Sequence, residues 1–203
     1  MAKIIAISGG SGSGKTFIAK ALKENLPGGA VILSYDNYYR DQGHLKPEQR
    51  ALLNYDDPKQ LDAELFEKHI NMLRSGETII VPQYDFSTHT RRKVSRPLRP
   101  AEWIICEGIM VFQIPMENYD YAIYIDADDD VRLSRRILRD TVLRGRTVDS
   151  VVAQYMATVK PMHRKYVEPG KKIANSVYIN NDNNGLDPKQ FDDLVKAILG
   201  KVL

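Results

Sequence analysis

Gly9-Gly10-Ser11-Gly12-Ser13-Gly14-Lys15-Thr16 is the stretch that decides the fold. It matches the pattern G-x-x-x-x-G-K-[ST], and average residue frequencies put a chance match at about one in a hundred for a chain of this length. Its flanks suit it. An apolar run, Ile4 to Ser8, comes before, and a helical pattern from Lys15 to Leu26 comes after, stopped by Pro27-Gly28-Gly29. Glycines let successive backbone N–H groups turn inward on phosphate oxygens, and the helix N-terminus adds partial positive charge. Lys15 then bridges terminal phosphates, and the Thr16 hydroxyl suits Mg²⁺. A strand, a phosphate loop (P-loop) and a helix in that order imply a nucleoside triphosphate as ligand.

Outward from this loop the chain alternates. Ala30–Ser34, Trp103–Cys106, Tyr121–Ile125 and Ser176–Ile179 are short runs rich in Val, Ile and aromatics, bounded by Gly, Asp or Asn. Their near-continuous apolar character predicts strands covered on both faces, as in a parallel sheet. Helical patterns span Asp62–Arg74, Asp128–Leu143, Val148–Met156 or beyond, and Lys189–Leu199. The reading is α/β: a doubly wound parallel sheet of about five strands in a single domain, 1–203. Residues 35–102 interrupt the alternation and read as an insertion forming the substrate region, with Thr78–Pro82 and Lys93–Pro97 pairing as a small hairpin. Residues 128–150 read as an arginine helix and lid, with a polar joint at Asp140–Asp149. Asn180–Gly185 reads as a polar turn.

Composition sets limits. Hydrophobic residues make up 43% and charged residues 27%, with a net charge of +3. Those values exclude disordered, collagen-like and disulfide-scaffold chains. The one cysteine, Cys106, lies in an apolar run and reads as a buried hydrophobe. No signal-peptide pattern and no membrane-length apolar run is present, so a cytoplasmic compartment is expected, with no membrane partner.

Two acids stand at predicted strand ends, Asp36 after Ser34-Tyr35 and Glu107 after Cys106. Both therefore fall near the phosphate loop, where an acid can meet Mg²⁺. Arg132, Arg135, Arg136 and Arg139 share a helical arc of roughly 100°, while Val131, Leu133, Ile137, Leu138 and Val142 take the other side. A solvated basic face would explain that spacing. It would not explain why every cation is Arg, whose fork fits phosphate oxygens. Arg144-Gly145-Arg146 adds two more. Beside a phosphate loop, the pattern predicts a lid that closes over a transfer reaction and excludes water. Charge is unevenly spread: Arg91–Arg99 holds five cations and no acid, and Arg132–Arg146 six cations and one acid, Asp140. The remainder is net acidic, which suits a polyphosphate ligand with Mg²⁺ better than nucleic acid.

The motifs together resemble the uridine kinase (uridine–cytidine kinase) family, in its bacterial form, over nearly the whole chain. The resemblance rests on Ser34-Tyr35-Asp36-Asn37-Tyr38-Tyr39-Arg40, Asn54-Tyr55-Asp56-Asp57-Pro58, Tyr84-Asp85-Phe86-Ser87-Thr88-His89-Thr90-Arg91, Cys106-Glu107-Gly108-Ile109, the arginine block to Arg146, and Gln154-Tyr155 to Lys160-Pro161. It implies phosphorylation of the uridine or cytidine 5′-hydroxyl by ATP or GTP, and a tetrameric homo-oligomer. It implies Asp36 as the base at the 5′-hydroxyl and Asp56, Arg136 and Gln154 as ribose binders. Tyr84 and His89 would read the pyrimidine edge, with Tyr39, Tyr55, Phe86, Ile109 and Arg146 around them. Arg139 and Arg144 would bind phosphate, and Thr16, Glu107 and Asp36 would form the magnesium site. His69 reads as part of a helix face, and His44 and His163 as surface residues. The chain departs from the family pattern where Tyr178-Ile179-Asn180-Asn181-Asp182-Asn183 replaces an apolar strand followed by Pro-Arg-Gly. Alternatives are a phosphoribulokinase-like or nicotinamide riboside kinase-like enzyme, or a non-catalytic nucleotide switch.

Overall fold

A computed structural model describes residues 1–182 and 185–202 of the chain. Its strands are β1 (Lys3–Gly9), β2 (Ala30–Ser34), β3 (Ile79–Val81), β4 (Tyr84–Asp85), β5 (Thr90–Arg91), β6 (Arg96–Leu98), β7 (Trp103–Glu107), β8 (Tyr121–Asp126) and β9 (Ser176–Ile179). Its α-helices are α1 (Lys15–Asn25), α2 (Pro47–Ala51), α3 (Ala63–Arg74), α4 (Asp129–Arg144), α5 (Val148–Gln154), α6 (Lys160–Met162) and α7 (Pro188–Val202). Five strands form a parallel sheet in the order β2-β7-β1-β8-β9. This is the α/β architecture that the apolar runs predict.

Alternating side chains explain both layers. Ile4 and Ala6 of β1 face α3 and the aromatic residues that follow β2, while Ile5 and Ile7 face α1 and α7. Register then places the site. Ser34 pairs with Glu107, and Glu107 pairs with Ile7. Strands β2, β7 and β1 therefore end side by side, and the segments beginning at Tyr35, Gly108 and Gly10 leave from one edge. That edge is where ligands bind in open parallel sheets.

The insertion differs in detail from the expected hairpin. Ile79–Val81 pairs antiparallel with Arg96–Leu98, so the second strand starts three residues later than expected. A smaller hairpin nests inside, Tyr84–Asp85 against Thr90–Arg91, and occupies chain that would otherwise have extended the outer pair.

Helix α4 runs through Asp140 to Arg144, so the expected joint at Asp140–Asp149 shrinks to Gly145–Thr147. Gly145 closes the helix at φ 63, a left-handed cap. The helix is also turned opposite to an ordinary amphipathic one. Arg132 and Arg136 are 2% and 6% exposed, whereas Leu138 and Val142 are 67% and 78% exposed. The cause is Asp140, fully buried and ion-paired to Arg136 at 3.5 Å, Arg139 at 2.8 Å and Arg144 at 3.3 Å. Spacings of four residues put Arg136 and Arg144 one turn either side of it.

After α5 the rod continues through α6 to Val167, with π-helical turns over Tyr155–Val159 and His163–Val167. Pro161 lacks the N–H that a regular turn needs, and the backbone widens on either side of it. His163 is buried in this rod, not on the surface as expected, and burial followed by the Arg132 charge lowers its pKa to about 4. His44 is exposed. His69 lies on the buried face of α3, as expected. Cys106 is buried, and burial pushes its thiol pKa up. Asn183 and Asn184 of the expected polar turn lie outside the described residues. Among the described residues no helix is long and apolar enough to cross a membrane.

Burial pushes the Asp140 pKa up, but the Arg139 hydrogen bond and the charges of Arg139, Arg144 and Arg136 outweigh it and hold the group below 3.8. A depressed carboxylate stabilises the fold above its unfolded pKa, and that contribution is lost as pH falls through the folded value. Asp140→Asn is expected to cost about 3 kcal/mol in urea unfolding at about pH 7. The gap to the unmodified chain should narrow below 3.8.

Candidate active site

The phosphate loop is shaped by what packs on it. Gly12 and Gly14 sit at φ 84 and 94, and a side chain on Gly14 would run into the Asn180 amide. Asn180 Nδ2 donates to the Ser13 carbonyl at 2.7 Å, and its own carbonyl accepts from Arg135 Nη1 at 2.8 Å. Asn180 of the departing segment thus braces the loop. The Arg132 guanidinium lies against Gly10, where no side chain fits. Lys15 is buried and donates from Nζ to the Gly10 carbonyl at 3.0 Å. Burial lowers its pKa, and the charges of Asp36 and Glu107 oppose that.

Glu107 ends β7 and is buried, and Thr16 Oγ1 donates to its Oε2 at 3.4 Å. Its pKa is raised, first by burial and then by the Asp36 charge, while Lys15 pulls it down. Asp36 enters a 3₁₀ turn, Tyr35–Tyr38, that is anchored from behind. Tyr35 stacks on Phe66 with centroids 4.2 Å apart, and the Tyr38 hydroxyl shares a 2.7 Å hydrogen bond with His69 Nδ1. With those rings fixed, Asp36 and Tyr39 face the opposite way. Gly108 permits this approach, since a Cβ there would stand 2.8 Å from Tyr35 Cβ. Among the described residues no group of three or more His, Cys, Asp or Glu side chains could hold a metal by itself. Two carboxylates crowded beside a hydroxyl do fit a Mg²⁺ that takes its other ligands from phosphates and water.

The expected acceptor residues Asp36, Tyr39, Tyr55, Asp56, Tyr84, Phe86, His89, Ile109, Arg136, Arg139, Arg144, Arg146 and Gln154 line one cavity of about 530 Å³, which also touches Ser11 of the loop. Gly9, Gly10, Gly12, Ser13, Gly14, Lys15, Thr16 and Glu107 lie beyond its phosphate end and do not line it.

At the polar end Arg136 Nη1 donates to Ser11 Oγ at 2.9 Å, and Nη2 donates to Gln154 Oε1 at 2.8 Å. Arg146 donates to the same oxygen. Arg139 Nη2 reaches Ser11 Oγ at 3.4 Å. Asp56 is buried, which raises its pKa, and Arg136 opposes the shift.

The other end is aromatic. Tyr39 meets Tyr84 at 5.0 Å and Phe86 at 6.0 Å, and Tyr55 stacks on His89 at 4.0 Å with 11° between planes. Arg144 lies 4.4 Å over the Phe86 ring. His89 has φ 55 at the tip of the inner hairpin, and its Nδ1 is buried without a partner. Burial, then the charges of Arg146, Arg144 and Arg50, lower its pKa and keep the ring neutral at neutral pH.

Four supporting residues escaped the sequence reading. Arg91 donates to the Tyr39 and Tyr38 carbonyls at 2.9 and 3.3 Å and pairs with Asp62 at 3.1 Å, clamping the hairpin to the Asp36 turn. Asp140 and Asn180 hold the arginines and the loop, and Arg50 lines the aromatic end. Only Asp140 carried a readable signal, its spacing of four from Arg136 and Arg144.

The model of the Phosphoribulokinase / Uridine kinase family matches residues 4–183. The chain is 43% identical over 201 residues to a uridine kinase of Clostridium novyi (strain NT), covering 98% of this chain and 97% of that one. It is 45% identical over 176 residues to a uridine kinase of Alkaliphilus metalliredigens (strain QYMF), covering 85% of each. Its fold is similar to that of phosphoribulokinase from Rhodobacter spheroides, with a TM-score of 0.64, 14% identity, and coverage of 88% of this chain and 70% of that one. A family match across most of the chain, around a phosphate loop facing a lined acceptor cavity, makes this protein a member of the phosphoribulokinase/uridine kinase family.

Proposed function

We propose that this chain is a nucleoside kinase that transfers the terminal phosphate of ATP or GTP to the 5′-hydroxyl of uridine or cytidine, giving UMP or CMP in pyrimidine salvage. One observation carries the reading: a single cavity has Ser11 of the phosphate loop, Asp36 and paired arginines at one end and an aromatic wall with a neutral histidine at the other. A phosphoribulokinase-type acceptor has no planar ring for Tyr39, Tyr84 and Phe86 to pack against, so the wall favours a nucleoside.

Transfer of this kind needs in-line positioning and charge neutralisation. Asp36 accepts the hydrogen bond of the 5′-hydroxyl and takes its proton as oxygen attacks the terminal phosphorus and the bridging oxygen departs with the nucleoside diphosphate. Lys15, Arg139 and Arg144 meet the charge on the moving phosphoryl group. Asp56 accepts from the vicinal ribose hydroxyls, and Arg136 and Gln154 fix it and them. Mg²⁺, when bound near Thr16, Glu107 and Asp36, neutralises charge on the donor phosphates. Gly9 to Gly14 cradle those phosphates. Residues 35–102 are the nucleoside-binding region and 128–150 the lid of one kinase unit, 1–203. A cytoplasmic location and a homo-oligomer, tetrameric as the resemblance implies, belong to the same reading.

Three measurements test it. In a nucleoside panel with ADP release as readout, uridine and cytidine should stimulate release. Stimulation by a sugar phosphate alone would overturn the assignment. Asp36→Asn is expected to lower kcat by about 100-fold or more while ATP binding persists, because the carboxylate serves the proton and not the phosphate cradle. Near-normal turnover would reject that role. For His89 the sign of the shift sets the pH profile: with the pKa lowered by burial and the nearby arginines, the midpoint of any loss of uridine kcat/KM on protonating the ring should lie below 6.5. A midpoint at 6.5 that disappears in His89→Ala would count against it.

A further inference from the structure

Arg50 sits in α2 and lines the aromatic end of the cavity. Among the described residues none takes a hydrogen bond from its side chain, and its Nε is buried without a partner. Arg91 shows the contrast: a guanidinium used for structure donates to two carbonyls and a carboxylate. Buried N–H groups left unpaired are costly, and they persist where a ligand acceptor completes them. Arg50 is nonetheless fixed in place. Its carbonyl accepts from the Tyr55 hydroxyl at 3.0 Å, and the Tyr55 ring stacks on His89, whose Nδ1, like the Tyr84 hydroxyl, is buried without a hydrogen-bond partner among the described residues.

The side chain also stands at a definite part of the pocket. Arg50 lines the cavity together with Tyr55, to which its carbonyl is bonded, Tyr84 and His89, and forms no hydrogen bond with Asp56, Arg136 or Gln154. With Asp56, Arg136 and Gln154 read as the ribose end, that places it toward the edge of the base remote from the ribose. In a pyrimidine that edge is position 4, across the ring from the glycosidic nitrogen. Uracil carries a carbonyl oxygen there, and cytosine an amino group. Histidine can serve either base by changing tautomer, whereas a guanidinium donates only.

Resting on the nucleoside-kinase reading, we propose that Arg50 is a specificity-determining residue that donates to O4 of uracil and so favours a 4-oxo over a 4-amino pyrimidine. The amino group of cytosine would face a donor with nothing to accept it, the kind of mismatch that separates close analogues well.

The test compares kcat/KM for uridine and cytidine, with KM for ATP and a melting curve, in the unmodified chain, Arg50→Met, Arg50→Lys and Arg50→Gln. The unmodified chain should prefer uridine. Arg50→Met should lose about 10- to 100-fold on uridine and less than about threefold on cytidine, with KM for ATP unchanged. Arg50→Lys keeps a donor and should retain part of the preference. Arg50→Gln can also accept, and should move the ratio toward cytidine. Should Arg50→Met melt early, the Lys and Gln variants carry the comparison. Parallel losses on both nucleosides, or an unchanged ratio across the variants, overturn the inference and leave the kinase reading standing. An unmodified chain that phosphorylates neither nucleoside but does phosphorylate another acceptor overturns both.

Discussion

Three guanidinium groups converge on the buried carboxylate of Asp140, and the phosphate end of the cavity depends on that convergence. Without it, Arg136, Arg139 and Arg144 would repel one another in a poorly solvated place, and removing one member of such a group is strongly unfavourable. With it, Arg136 and Arg139 reach Ser11 of the phosphate loop while still paired. The arginines are thus held at the loop by the protein's own carboxylate.

The same compensation explains why α4 is turned with Leu138 and Val142 outward. Four arginines and an aspartate gain more from the loop and from each other than the aliphatic face gains from burial. On the other side of the loop the signs are reversed. Asp36 and Glu107 crowd near Lys15, and Glu107 is pushed toward its neutral form by burial and by Asp36. A divalent cation placed between these carboxylates would relieve the crowding.

Much of this was legible along the chain. The inner strands β1, β7 and β8 are uninterrupted apolar runs covered on both faces, which leaves no alternation to misread, whereas the edge strands are covered less, with Val177 and Ile179 of β9 exposed. The glycines of the phosphate loop are set by close approaches, Gly9 and Gly12 to backbone and Gly10 and Gly14 to the Arg132 and Asn180 side chains. Other features were not legible. The inner hairpin has strands of two residues, too short for periodicity to register. His163 looked like a surface residue because nothing in its neighbours marks a rod folded back on Arg132. Arg50 and Asn180 lie in polar segments whose composition suits an exposed turn equally well, and only their contacts distinguish them.

The sequence alone determined the sheet and the phosphate loop, because strand burial and phosphate contact each impose a local pattern on consecutive residues, while the residues of the cavity were expected only through the family resemblance. The tertiary structure decided which face of the arginine helix is buried, which carboxylate anchors it, and which polar atoms at the base end are left without partners. Those outcomes depend on charges brought together from segments far apart in the chain: Asp36 with Glu107, Arg136 with Ser11, and Arg50 with His89. No local pattern records the sum of such long-range electrostatic terms.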